Sequence, residues 1–281
     1  MSFKKSYEKE SQGKLYLVPT PIGNLDDMTF RAVNVLKDVD YILCEDTRES
    51  LKLLKHFDIN KKLVACHEYN EDSIKNNVIN DLKSGKNIGL ITDQGSPIIS
   101  DPGYILTREV IKNNISVISL PGATAFVPAL SSSGVEPSPF LFYGFLNSKQ
   151  SKMKEELKGL KSLKYTLIFY ESVHRIEKTL ELMHEVFGNR KISISRELSK
   201  VHEEIYYGDL ESAKDEYKDK KGEFVIVVEG NKEEVNYNDL DIVEHVKMYL
   251  DDNSEMDAIK IVSKERGVSK SEIYKYYHDN K

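Results

Sequence analysis

Five short apolar runs, LYLV (15–18), YILC (41–44), LVAC (63–66), IGLI (88–91) and ISVISL (115–120), are separated by segments of helical spacing. Thr29 to Lys37 carries apolar residues at 30, 32, 33 and 36, and Asp46 to Phe57 carries Leu51, Leu53, Leu54 and Phe57. Strands alternating with helices mean βαβ units and a mostly parallel sheet. In an open sheet of this kind ligands collect at the carboxyl ends of the strands, so the loops that follow these runs are where chemistry is sought first.

Three of those loops have a distinctive make-up. The run at 88–91 opens into Asp93, Gly95, Ser96, Pro97, Asp101, Pro102 and Gly103. Glycine lets backbone amides approach a ligand closely, and proline fixes the loop so that little entropy is lost on binding; an ordinary turn is the other reading. The first strand ends in Pro19, Pro21 and Gly23, with Thr29 placed to cap the next helix through its hydroxyl. That is the position of a phosphate turn, yet neither GxGxxG nor GxxxxGK[ST] is present. The strand at 115–120 stops at Pro121-Gly122, after which Ala123, Thr124 and Ala125 open a helix with free backbone N–H groups. Helix packing alone also accounts for small residues there. EDTR (45–48) leaves Arg48 either on the surface or in a cleft.

From Asn147 to Lys164 the character changes, with six lysines against two glutamates. This segment reads as a linker and the first helix of a second domain, and either as a phosphate-contacting surface or as a solvated helix face. A second α/β unit follows: strand 166–170, helix 173–187, strands 191–195 and 203–208, helix 210–217 and strand 223–230. Polar clusters ESVHR (171–175) and RELSK (196–200) sit at its strand ends, and His174 is either a general base or a satisfied histidine at a helix start. Beyond Asp239 the expected elements are helices at 239–251, 255–266 and 269–278, with Gly267 ending one and Ser269 capping the next. The turn resembles a helix-turn-helix, a look that small helical bundles share. The expected division is a frayed tail over 1–13, domains over 14–145 and 146–234, and a helical extension over 235–281.

No stretch approaches the roughly 20 apolar residues of a membrane span, and the polar N-terminus has no signal-peptide core, so a cytoplasmic protein is expected. Cys44 and Cys66 lie in apolar runs without metal-ligand spacing and read as buried thiols. A net charge of −6 argues against a protein that coats nucleic acid non-specifically, though not against a local basic patch.

The succession LYLVPTPIGNLDDMTFRA, EDTR, DQGSPIISDPG, PGATA, FYESVHR, RELSK and KGEFVIVVEG resembles the tetrapyrrole-methylase superfamily. Within it, the chain is similar to the branch of bacterial small-subunit ribosomal RNA 2′-O-ribose methyltransferases. The resemblance covers about residues 14 to 230, and the tail is similar to that branch's helix-turn-helix extension. It implies two α/β/α domains with a small helical extension, S-adenosylmethionine as cofactor in a cleft, a homodimer, and a cytidine ribose in the decoding region of 16S ribosomal RNA as substrate. Carried over by position, Pro21, Ile22, Gly23, Asp93, Gly95, Ser96, Pro97, Asp101, Gly122, Ala123 and Thr124 line the cofactor cleft. The family's usual Asp-Ala-Gly-Thr-Pro stands here as Asp93-Gln94-Gly95-Ser96-Pro97, which touches only the fine packing of that loop.

S-adenosylmethionine has no phosphate, so Pro, Gly and small residues suit it better than they suit a dinucleotide. Methyl transfer needs in-line placement and removal of the hydroxyl proton, without a metal. Glu45, Asp46, Glu171, His174 and Glu197 are candidates for the proton, and Arg48, Arg175, Arg196 and Lys200 for phosphates, with Arg48, Glu171, His174 and Arg196 assigned to the substrate side. Few basic residues for one RNA site favour the assembled small subunit as substrate. Two other readings stand beside this one: a tetrapyrrole C-methyltransferase, and a non-catalytic, ligand-responsive nucleic-acid-binding protein using residues 255–278.

Overall fold

A computed structural model describes residues 11–217, 220–232, 237, 240–251 and 253–281. The chain divides into two compact units, Met1–Asn231 and Lys232–Lys281. The expected boundary at 234/235, the first residue of the helix expected at 239–251, and residues 1–10 of the expected tail lie outside the described residues. The end of that tail is held: the amide of Gly13 donates to Leu82 O at 2.7 Å, and a Cβ there would come 1.7 Å from Lys86 O.

In the larger unit, β1 (Leu15–Leu17), β2 (Tyr41–Cys44), β3 (Lys62–Ala65), β4 (Ile88–Leu90) and β5 (Val117–Ser119) form a sheet ordered β3-β2-β4-β1-β5. Every pairing in it is parallel. Such strands are apolar on both faces, because helices cover both. On one face α1 (Phe30–Asp38) and α2 (Thr47–His56) bury Leu36 and Leu54 against Ile42, Ile91 and Ile118. On the other, α3 (Glu71–Lys83) and α4 (Tyr104–Lys112) bury Leu82, Leu106 and Val110 against Leu15, Leu43 and Leu90. The Thr29 hydroxyl accepts from the Ala32 amide and the Asp46 carboxylate from the Arg48 amide, so each helix starts where a short polar side chain satisfies a free N–H. The amide of Leu106 is capped from a distance, donating to buried Glu71 Oε1 at 2.6 Å.

Then come α5 (Phe126–Ser132), β6 (Phe140–Phe145), α6 (Gln150–Leu160), β7 (Thr166–Ser172), α7 (Ile176–Phe187), β8 (Lys191–Arg196), β9 (Glu204–Asp209), α8 (Leu210–Glu216) and β10 (Glu223–Val228). The second sheet is ordered β6-β7-β10-β8-β9. Only β6 with β7 is parallel; the other pairings are antiparallel. One face carries α6, α7 and α8, with Leu157, Leu180, Met183 and Ala213 over Phe169 and Ile226. Among the described residues the opposite face carries α5, whose Ala129 and Leu130 cover Ile168, Val225 and Val227. Thus α5 and β6, which precede residue 146, build the second sheet's layer. The helix expected from Val173 begins at Ile176, because β7 stays paired with β10 as far as Ser172 opposite Glu223. Among the described residues no helix is long and apolar enough to cross a membrane.

The smaller unit holds α9 (Ile242–Lys247), α10 (Glu255–Arg266) and α11 (Lys270–Asn280) around Val246, Ala258, Ile259, Val262, Ile273 and Tyr277. Gly267 takes φ +64 to end α10, and Ser269 starts α11 with a reciprocal bond to Glu272. His245 is fully buried, with Arg266 Nε donating to its Nδ1 at 3.0 Å and Glu265 Oε2 at 3.0 Å from its Nε2. Arg266 therefore requires an unprotonated Nδ1, which fixes the neutral Nε2–H tautomer.

Candidate active site

Three loops at the carboxyl edge of the first sheet are tied together by backbone and hydroxyl bonds. Thr20 and Gly95 exchange backbone bonds at 2.9 and 3.0 Å, and Thr20 Oγ1 donates to Thr92 O at 3.1 Å. Ser96 Oγ donates to Ala123 O at 3.1 Å, and a Cβ on Gly122 would lie 2.6 Å from Pro19 Cβ. The loop after β4 is also strained, with Ile98 at φ +77 and Ser100 at φ +69. A β-branched residue in that region persists only where packing enforces it, and Ile98 is packed against the core beneath.

These loops face the open side of the second sheet across a cleft of about 430 Å³. Ile22, Asp93, Gly95, Ser96, Asp101 and Thr124 of the sequence-expected residues line it. Pro21, Gly23, Pro97, Gly122 and Ala123 do not. Pro21 and Pro97 are buried behind it, Gly122 packs on Pro19, and Gly23 lies where a Cβ would meet Lys200 Cγ at 2.4 Å. Ala123 contributes the carbonyl that anchors Ser96.

Asp101 is the group in the cleft whose chemistry stands out. Burial raises its pKa to about 7, the charge of Glu45 adds to the rise, and a hydrogen bond from Thr92 opposes it. The Thr92 hydroxyl has one hydrogen, for which Glu45 Oε2, 3.2 Å away, competes with Asp101. A carboxyl group half ionised near neutrality inside a cleft is suited to accept a proton. Asp93, on the same wall, is likewise raised, first by burial.

The substrate-side expectations fare differently. Glu171 borders the cleft, but its carboxylate turns to the helix-covered face, accepting from Thr179 Oγ1 at 2.6 Å and Ser172 N at 2.8 Å, with Arg175 Nε at 3.3 Å. Its side chain is 1 % exposed, so no substrate reaches it. His174 stands in an exposed turn outside the lining. Arg196 is held by Glu204 Oε2 at 2.9 Å and Lys221 O at 2.7 Å, also outside the lining. Arg48 is exposed at the rim; its guanidinium grips Asp46 at 2.7 Å and holds that carboxyl down to about 2. The Asp46 amide in turn lies 3.3 Å from Asp93 Oδ1. The strand pattern put all four near strand ends but was silent on which way each side chain points.

Other lining residues were not among the expected site residues: Tyr170, Leu198 and Glu223 lie inside the motifs FYESVHR, RELSK and KGEFVIVVEG, and Ser195 ends a strand run. Burial raises the Tyr170 hydroxyl to about 12, and the backbone amides of Phe126 and Ala125 bond to it. The buried Ser195 hydroxyl has no partner among the described residues. Gln94 does more than adjust loop packing. With its amide oriented to satisfy its neighbours, its nitrogen donates to Glu223 Oε2 at 3.1 Å and Ile22 O at 3.2 Å, bridging the two walls. Lys200 completes the bridge with bonds to Glu223 at 2.8 Å and Glu197 at 3.0 Å. Nearby, Ser199 Oγ donates to Asp27 and accepts from the Asn24 amide.

Comparison with known proteins places this geometry. Residues 14–214 match the family described as Tetrapyrrole (Corrin/Porphyrin) Methylases. The chain is 46% identical over 287 aligned residues to ribosomal RNA small subunit methyltransferase I of Halalkalibacterium halodurans, covering 99% of each chain. It is 45% identical to the protein of that name from Bacillus subtilis, covering 96% of each. Among solved structures, diphthine synthase aligns at a TM-score of 0.63 and 13% identity, over 78% of this chain and 90% of that one. Uroporphyrin-III C-methyltransferase from Thermus thermophilus, complexed with S-adenyl homocysteine, aligns at 0.55 and 16% identity, over 76% and 97%. At such identities these two structures speak for the fold alone.

Proposed function

Because the chain belongs to the tetrapyrrole methylases, and within them to the ribosomal RNA small subunit methyltransferase I family, we propose that it methylates a ribose 2′-hydroxyl of a cytidine in 16S ribosomal RNA, using S-adenosylmethionine. The observation that carries the 2′-O reading is Asp101, a cleft carboxyl with a pKa of about 7. A ribose hydroxyl must give up its proton as its oxygen is methylated, and a half-ionised carboxyl in the cleft can take it.

The lining suits the cofactor. Gly95 takes φ +81, and a Cβ there would stand 3.5 Å from Ile22 Cγ2 and 3.9 Å from Ala123 O, so glycine keeps this part of the lining to bare backbone. Gly95, Ser96 and Thr124, which line the cleft, would hold the cofactor, which supplies an electrophilic methyl group when bound. Asp101 accepts the hydroxyl proton, and Thr92 tunes it by its bond. Arg48, at the rim, is placed to exchange Asp46 for an RNA phosphate. The assembled small subunit is the substrate and the enzyme works as a homodimer.

Transfer of labelled methyl from S-adenosylmethionine to small subunits from cells lacking the protein tests this. Label recovered in an alkali-resistant dinucleotide is the expected result. Cofactor binding without label in ribosomal RNA, or turnover on a porphyrinoid instead, overturns it.

A further inference from the structure

The β6 strand breaks the alternation of a regular strand at one place. Against β7 its register runs to Phe142 opposite Ile168, then shifts so that Gly144 faces Phe169 and Phe145 faces Tyr170. Tyr143 is the extra residue, and its ring turns to the helix-covered face, 5.7 Å from that of Phe169. In a regular strand residues three apart point to opposite faces. Here Phe142 and Phe145 both lie against Tyr170, with ring centroids at 5.0 and 5.6 Å. Gly144 makes this possible with φ +80. It also admits the loop after β4, since a Cβ on Gly144 would stand 3.0 Å from Ser100 Oγ. The bulge thus turns Phe145 into the cleft and seats the neighbour of Asp101 one residue away from it.

Phe142 is used for packing, stacked on Phe126 at 4.6 Å. Phe145 packs only in part, edge-on against Tyr170, and is 52% exposed while lining the cleft with Tyr170 and Ile99. A bulge beside a site that re-aims one side chain, and leaves that ring half uncovered, is a device for a ligand rather than for the core. The lining contains no lysine or arginine among the described residues, so no cation inside the cleft grips a phosphate. We infer that Phe145 is the stacking platform for the base of the nucleotide to be methylated, drawn out of its helix so that its ribose faces Asp101. Aromatic rings hold unstacked RNA bases in this way. The inference rests on the functional reading given above.

Phe145→Ala and Phe145→Trp, each compared with wild type in thermal melts and solution mass, test it. The alanine variant is expected to raise KM for small subunits roughly 5- to 100-fold, to keep its affinity for S-adenosylhomocysteine within about twofold, and to regain substrate affinity as tryptophan. A second readout is independent of methyl transfer. A short single-stranded RNA carrying a fluorescent base analogue is quenched by stacking on wild type and remains bright with Phe145→Ala. Wild-type KM and quenching in the alanine variant overturn the inference. So does an equal loss of S-adenosylhomocysteine affinity, which assigns the ring to the cofactor, or a changed solution mass, which assigns it to a subunit interface. Quenching by a wild-type protein that transfers no methyl to small subunits leaves the platform standing and sinks the functional reading instead.

Discussion

Thr92 Oγ1 lies 3.2 Å from Glu45 Oε2, and its one hydrogen is contested between that carboxylate and the Asp101 carboxyl. The bond lowers the pKa of Asp101 against the larger effect of burial. Thr92→Val removes it without adding bulk. The acid limb of the pH profile of kcat/KM then moves to higher pH, which a profile measured between pH 5 and 9 records. A limb that stays in place disconnects Thr92 from the titrating group.

With Asp101 titrating at about 7, activity rises with pH through neutrality as the carboxylate forms. Asp101→Asn is expected to lose about 10²- to 10⁴-fold in kcat and to flatten that rise. The sign for stability is opposite. A carboxyl whose folded pKa is raised favours the fold when protonated, and the penalty of ionising it grows from about pH 4, its unfolded pKa, up to about 7. The asparagine variant therefore melts at or above the wild-type temperature at pH 8, as calorimetry would show.

Gln94 spans the cleft to Glu223 and Ile22. A hydrogen bond of this kind contributes about 0.5–1.5 kcal/mol net, so Gln94→Ala is expected to weaken S-adenosylhomocysteine binding between roughly twofold and tenfold. Titration calorimetry reads this, and unchanged affinity would show that the bridge does not hold the cleft in its binding form.

Glu71 is 3% exposed and caps α4 through the Leu106 amide. Because α4 leads directly out of the Asp101 loop, the cap steadies both the core and the site. Glu71→Ala leaves a buried amide unpaired and is expected to cost about 1–3 kcal/mol in urea denaturation.

In the helical unit, burial and the neighbouring Arg266 charge depress the pKa of His245, with Glu265 opposing. A histidine kept neutral by the fold loses stability for it as pH falls through its unfolded pKa, about 6.5. Amide exchange in α10 and α11, corrected for intrinsic rates, is expected to be faster at pH 5.5 than at pH 7.5.

The strand runs, the Thr29 cap and the Gly267–Ser269 turn are all set by neighbouring residues, and all were legible in the sequence. β6 was not, because FLFYGF follows a Pro- and Ser-rich stretch and becomes a strand only through β7. The same limit governs the site. Asp101 stood among the expected cleft residues as a cofactor contact, but the carboxylate that helps raise its pKa is Glu45, on a different strand end. Glu171 matched a strand end equally well, and only Thr179 and Arg175 on the far face show that its carboxylate is turned away.

The place of β1 in its sheet also bears on how the protein is made. Leu15, Tyr16 and Leu17 pair on one side with Ile88–Leu90 and on the other with Val117–Ser119. On its second side β1 thus waits for β5, the last strand of that sheet among the described residues, while β2 and β3 can pair long before. Closing such distant contacts is slow, so a nascent chain halted before Val117 carries an unfinished apolar edge that invites capture by a chaperone.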